Sequence, residues 1–139
     1  MAYKISSSLF NQGALMDYQG TIRFTLLSQS NDEVTSKMPV EKGILNPFGI
    51  VNAGAIIWFA DVTASVLLLE NSNPQEGMKG FPLAININAN LIGNAKSGNF
   101  FATSTYVKKG RTVSVVHTVV TDEKQNIIAD VTTNHVLTQ

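Results

Sequence analysis

The run from Ala53 to Leu69, AGAIIWFADVTASVLLL, carries a single charge, Asp61, and only Gly54, Thr63 and Ser65 besides it are not apolar. Its apolar residues occupy every side of a helical wheel, and a helix that is apolar all round is one enclosed by the rest of its protein. The β-branched residues in it would also suit a buried strand. Seventeen residues are too many for an ordinary strand, so length decides for a helix. A carboxylate at the middle of such a helix must be hydrogen-bonded, protonated or turned toward a ligand, because burying it alone is costly. This conflict between pattern and chemistry makes Asp61 the first candidate for function.

Asn52 stands where the N-cap of this helix belongs, and Glu70-Asn71-Ser72-Asn73-Pro74 end it. Upstream, a short helix is expected over 6–17, with Leu9, Phe10, Leu15 and Met16 as its apolar side. Two extended runs, 21–29 and 33–40, are split by Ser30-Asn31-Asp32 and predict a hairpin. Residues 41–52 read as a loop interrupted by Gly43, Asn46, Pro47 and Gly49. Downstream, 83–92 places Leu83, Ile85, Ile87, Ala89 and Leu91 on one parity and Asn86, Asn88 and Asn90 on the other, the signature of a half-buried strand. Three more strands are expected over 99–109, 111–122 and 126–138, joined by a tight turn at Gly110 and by Asp122-Glu123-Lys124-Gln125. A hairpin, a long buried helix and four antiparallel strands make an α+β fold, a single domain over 1–139 in which a curved antiparallel sheet wraps the central helix. That is the hotdog arrangement.

Ten basic and ten acidic residues cancel, so no overall field recruits nucleic acid or an anionic membrane. The absence of cysteine removes thiol nucleophiles and cysteine zinc sites and fits a reducing compartment. The N-terminal twenty residues lack the apolar core and cleavage site of a secretory signal. The 53–69 run falls short of the roughly 20 residues that cross a bilayer. A cytoplasmic protein with no membrane partner is expected. His117 and His135 fall in strands with no third ligand at metal spacing, so both read as sheet residues and no metal site is expected.

The stretch NPFGIVNAGAIIWFADVTASVLLLE at 46–70 resembles the phenylacetate-pathway (PaaI-like) branch of the hotdog acyl-CoA thioesterases. That family shows Asn-x-x-Gly-x-Val-His-Gly-Gly followed by an apolar helix whose Asp or Glu lies nine residues after the His. Asn46, Gly49, Val51, Gly54 and Asp61 match. The family's His is Asn52 here, and the first of its two glycines is Ala53. The similarity extends downstream to IIADVTTNHVL and covers roughly residues 34–138.

The resemblance implies hydrolysis of acyl-CoA or aroyl-CoA thioesters, with coenzyme A as part of the substrate and no separate cofactor. It implies that Asp61 is general base or nucleophile, that the N–H groups at Ala53 and Gly54 polarise the thioester carbonyl, and that Asn46 and Asn52 are polar anchors beside it. Ser65, one turn after Asp61, would hold the carboxylate or a water. Asp61 lies roughly 12 Å along the axis from Ala53, too far to serve the same atom within one helix. The resemblance answers this with a site at a subunit interface, hence a homodimer at least and by likeness a homotetramer. The basic turn Lys108-Lys109-Gly110-Arg111-Thr112 would lie near the phosphates of coenzyme A.

Each residue also has a plainer reading. Asp61 would be satisfied by interface backbone, Asn46 and Asn52 would serve as turn and cap, Ser65 would only pack, and the basic turn would be a solvated hairpin. Phe48, Trp58, Phe59 and Phe81 would shape an acyl pocket or belong to the core. With Asn52 in place of His, a non-catalytic acyl-CoA binder or sensor stands beside the hydrolase. A hydratase would require a histidine beside Asp61, and neither His117 nor His135 is close to it in sequence.

Overall fold

The chain folds so that the apolar helix is covered by its own sheet. A computed structural model describes residues 16–138. It contains strands β1 (Thr25–Gln29), β2 (Glu33–Pro39), β3 (Pro82–Leu91), β4 (Asn99–Lys108), β5 (Val113–Thr121) and β6 (Ile127–Leu137), and one long helix, α1 (Ala53–Leu69). A single 3-10 turn, Lys42–Ile44, interrupts the loop before α1. The six strands form one antiparallel sheet in the order β1-β2-β4-β5-β6-β3. This order follows from the helix, which carries the chain across the sheet from β2 to the far edge, so β4 returns to pair with β2.

Helix α1 begins and ends by local chemistry. Asn52 has extended backbone and its side chain accepts from the Gly54 N–H at 3.4 Å, the N-cap expected from the sequence. Glu70 adopts the left-handed conformation (φ 49°) and returns its N–H to the Leu67 carbonyl at 3.3 Å. The Tyr106 hydroxyl donates toward the Leu67 carbonyl and Glu70 Oε1, both at 3.4 Å, so β4 helps close the helix C-terminus. Burial, with Glu70 beside it, pushes the Tyr106 phenol up to about 12.

One face of α1 packs on the concave side of the sheet. Ile56, Phe59 and Ala60 are buried with Met38, Phe100, Ala102, Val120, Ile128, Ala129 and Val131; further along, Ala64 and Leu67 meet Val34 and Val116. The small side chains at Ala60, Ala64, Ala102 and Ala129 let helix and sheet approach closely, while Phe59 and Phe100 supply apolar area worth about 1.5–3 kcal/mol each. Several buried hydroxyls are paired. Ser36 bonds Thr63 at 2.7 Å, Thr63 also donates to the Phe59 carbonyl at 2.7 Å, and Ser104 bonds Thr118 at 2.6 Å.

The structure departs from the sequence reading in four places. The helix expected over 6–17 lies outside the described residues but for Met16 and Asp17, which are in no regular element. The first strand starts at Thr25, not at 21. The β4–β5 connection spans 109–112 rather than Gly110 alone, because the pairing of β4 with β5 stops at Lys108 and Val115, just past a bulge between Tyr106 and Lys108. The largest difference is β3, whose apolar parity is not half-buried. Ile85 is 58% exposed and Ile87 42%, since β3 is an edge strand paired only with β6. A bulge between Ala84 and Asn86 also splits the parity: Ile87, Ala89 and Leu91 pair with the inward Thr133, Val131 and Ala129, while Leu83 pairs with Val136 on the opposite face. Asn86, Asn88 and Asn90 share the outer face, as expected. No helix among the described residues is long and apolar enough to cross a membrane.

Candidate active site

The loop before α1 is built on asparagines. Asn46 Oδ1 accepts from the N–H groups of Phe48 at 3.0 Å and Ile50 at 3.3 Å, while the Asn46 backbone closes the same turn through Ile50 and Gly49. Gly49 occupies the left-handed region (φ 81°), where a side chain would be strained. The Asn46 side chain therefore serves its own turn. Asn94, which the sequence reading missed, grips Val51 from beyond β3: its Oδ1 accepts from the Val51 N–H at 2.8 Å and its Nδ2 donates to the Val51 carbonyl at 2.9 Å. This paired bond fixes the residue next to the N-cap. Its only sequence signal was an asparagine in a Gly-Asn-Ala loop, which is not distinctive.

At the helix tip, Ala55 and Ile56 return their N–H groups to the Asn52 carbonyl, and Gly54 is capped by the Asn52 side chain. The Ala53 N–H has no acceptor among the described residues, and Ala53 and Gly54 are both exposed. A Cβ built at Gly54 would meet nothing closer than Asn52 Oδ1 at 3.9 Å, so the tip is open on that side. An exposed N–H at the positive end of a helix suits developing negative charge. Beside it a cavity of about 300 Å³ is walled by Ile22, Ile44, Ala55 and Trp58, with Asn52 and Gly54 at its rim. Trp58 thus faces a cavity, whereas Phe59 is core, Phe81 is half-buried and Phe48 is 84% exposed.

Asp61 sits on a flank of α1. Thr63 points to Ser36 on β2, and two residues of helix turn through about 200°, so Asp61 points away from Ser36. Its Oδ1 is buried with no hydrogen-bond partner, although the residue as a whole is only half-buried. Burial raises its pKa above the ordinary carboxylate value, and the proximity of His135 opposes that rise. The Ser65 hydroxyl does not hold this carboxylate: it donates to the Asp61 main-chain carbonyl at 3.0 Å, the bond a mid-helix serine commonly makes.

The two histidines do lie in strands, on β5 and β6. His117 meets Asp130 at 3.0 Å. His135 is 1% exposed, contacts Thr133 Oγ1 through Nε2 at 2.7 Å, and leaves Nδ1 without a partner.

The basic turn lies at the other end of α1 from Asn52. Lys109 pairs with Glu70 and stands 5.8 Å over the Tyr106 ring, while Ser114 contacts both the N–H and the carbonyl of Gly110. Lys108, Arg111 and Thr112 are exposed; Arg111 and Thr112 border a shallow depression with Gly80, Val136, Leu137 and Thr138. One chain thus brings Asn46, Asn52, Ala53 and Gly54 together, sets Asp61 and Ser65 apart on the flank, and holds the basic turn at the far end.

The sequence profile of the thioesterase superfamily matches residues 48–129, from the loop before α1 into β6. ComA2, a proposed esterase of Bacillus subtilis, is 27% identical over 103 residues, covering 74% of this chain and 79% of that protein. Among solved structures, a thioesterase enzyme from Staphylococcus aureus is 26% identical, with a TM-score of 0.74 over 84% of this chain and 93% of that one. A Streptococcus mutans protein bound to acetyl CoA shares the fold at 19% identity, with a TM-score of 0.75 over 89% of this chain and 95% of its own.

Proposed function

This chain belongs to the thioesterase superfamily, and we propose that it hydrolyses acyl-CoA or aroyl-CoA thioesters in the manner of the PaaI-like branch, at a site shared between two copies. The observation that carries the reading is Asp61: a carboxylate with one orphaned oxygen, on the open flank of a helix whose tip leaves the Ala53 N–H unused. Burial raises the pKa of this carboxylate, which makes it a better base than an ordinary one. Asp61 takes a proton from water, or attacks the carbonyl itself, while the Ala53 N–H and the helix dipole stabilise the oxyanion. The C–S bond then breaks and the thiolate leaves.

Within one chain, Ala53 and Asp61 are about 12 Å apart along the axis, so the two halves of the site come from different copies. The β3 edge supports such a dimer. It presents unpaired backbone groups and the exposed side chains of Ile85, Ile87 and Leu91 on a strand that α1 packs against, a surface a monomer leaves unprotected. A second copy would also bring the basic turn toward its partner's helix tip, where Lys108 and Arg111 would meet the phosphates of coenzyme A. The acetyl CoA bound by the Streptococcus mutans neighbour is consistent with that ligand class. The cavity lined by Trp58 is the proposed seat of the acyl group.

The test is a panel of acyl- and aroyl-CoA thioesters with release of free thiol followed. Turnover by wild type and its loss in Asp61→Ala support the reading; equal rates remove Asp61 from the mechanism. One observation favours a second reading, a non-catalytic acyl-CoA binder: Asn52 Oδ1 occupies the Gly54 N–H and supplies no titrating ring. Thermal stabilisation by coenzyme A esters without turnover, unchanged in Asn52→His, would favour it.

A further inference from the structure

Residues 21–24 read from sequence as the start of the first strand, yet β1 begins at Thr25 and these residues are bound to the 41–44 loop and to α1 instead. The Thr21 N–H donates to the Gly43 carbonyl at 3.0 Å. Gly20 lies so near that a Cβ on it would come within 3.3 Å of the same carbonyl oxygen. Arg23 Nε donates to Glu41 Oε2 at 3.2 Å, and its Nη2 donates to Oε1. Phe24 sets its ring against Trp58 of α1, with centroids 5.4 Å apart and planes at 68°, and stands 5.4 Å from Phe59. Held in this way, Gly20, Thr21 and Ile22 form a wall of the cavity that Ile44, Ala55 and Trp58 also line. Its volume of about 300 Å³ stands at the floor of the range for small-molecule pockets, about 300–1,000 Å³. None of the described residues lining it is charged.

We propose that the strap Gly20–Phe24 is the acyl gauge of the site, with Ile22 the specificity-determining residue that restricts it to compact, uncharged acyl groups. The inference rests on the cavity being the acyl seat of the reading above. A gauge must not yield to the group it measures. Ile22 is β-branched and stiff at χ1, and its backbone is tied on both sides, by Thr21 to the loop and by Phe24 to the helix. A long chain therefore meets a wall that stays in place. An acyl group ending in a carboxylate meets no free cation, because the Arg23 guanidinium is occupied by Glu41.

Trp58 is the single tryptophan of the chain, so its emission reports occupancy of the cavity independently of turnover. Butanoyl-, dodecanoyl- and succinyl-CoA are titrated into the full chain with that emission followed, in wild type, Ile22→Ala and Ile22→Phe, and thiol release is measured on the same esters. Wild type should bind butanoyl-CoA more tightly than dodecanoyl- or succinyl-CoA. Ile22→Ala should raise the affinity for dodecanoyl relative to butanoyl by about tenfold, the low end of what a change of about one methylene gives in an apolar pocket, and Ile22→Phe should lower it. Size profiles that coincide in the three proteins overturn the gauge, while thiol release in the same samples leaves the hydrolase standing. Profiles that shift without thiol release keep the gauge and refute hydrolysis. Emission that no ester moves overturns the gauge, because the cavity is then not the acyl seat, and succinyl binding as tight as butanoyl overturns its restriction to uncharged groups. Ile22 is 36% exposed, so neither substitution opens the core. Should one fail to fold, Arg23→Gln, outside the lining, loosens the same wall: dodecanoyl then gains on butanoyl, and an unchanged ratio overturns the proposal.

Discussion

Replacing Asp61 by Asn should move activity and stability in opposite directions, and the structure sets both magnitudes. Asn keeps the shape of the side chain and removes its charge. As general base the carboxylate contributes about 10²–10⁴-fold, so kcat should fall by that factor. Stability should rise. Burial without a partner costs more for a charged oxygen than for a neutral amide atom in the same place, and about 1 kcal/mol is the difference expected where only Oδ1 is enclosed. The sign follows from linkage. A carboxyl whose folded pKa is raised binds its proton more tightly when folded, so it contributes nothing below its unfolded value and weakens the fold as pH rises through the folded value. Asn is neutral throughout, so Asp61→Asn should be more stable than wild type at pH 7 by about 1 kcal/mol, a Tm gain of about 3–5 °C for a chain of this size. It should also lose that part of the pH dependence. The assays are thiol release and thermal unfolding at several pH values. A variant that is less stable than wild type while retaining turnover would show that Asp61 is a structural carboxylate satisfied in the native assembly.

Trp58→Ala should enlarge the cavity beside the helix tip and shift selectivity toward bulkier acyl groups, read as a change in the ratio of kcat/KM across the thioester panel. Ile87→Lys places a charge on the exposed edge of β3 and should yield monomer by light scattering, with turnover lost in parallel; an active monomer would rule out a shared site. Asn94→Ala removes both bonds to the Val51 backbone and should cost about 1–3 kcal/mol in chemical denaturation while lowering kcat, because the helix tip is no longer held. Asn52→Ala should cost about 0.5–2 kcal/mol as a lost N-cap, and it releases the Gly54 N–H, so any fall in rate reports the side chain's contact with substrate.

Much of this fold was legible because its signals are local. The bounds of α1, 53–69, follow from an asparagine cap, an unbroken apolar run and a polar stop, each acting within a few residues of itself. The succession of strands along the chain after the helix was readable from alternation and turns, though not that β3 pairs with β6 instead of β4, and Asp61 stood out because a lone charge in such a run has to be explained. Asn46 and Asn52 proved to hold their own loop and cap, as the plainer reading of each allowed.

Other features depend on what lies across the fold. The alternation in β3 did not reveal that the strand occupies an edge or that a bulge at Ile85 splits its parity, because both follow from pairing with a strand some forty-five residues away. The electrostatic influence of His135 on Asp61 could not be read along the chain: seventy-four positions separate them (135 − 61), and only the packing of α1 on the sheet lets each act on the other. Ser65 has the right spacing to reach the carboxylate, yet the nearer helix carbonyl accepts its hydrogen bond. Composition and short-range pattern thus determined the elements and exposed the anomalous charge. Tertiary structure decided which edge stays open and which distant side chains share a field, since hydrogen-bond partners and electrostatic neighbours are set by distance in space and not by distance along the chain.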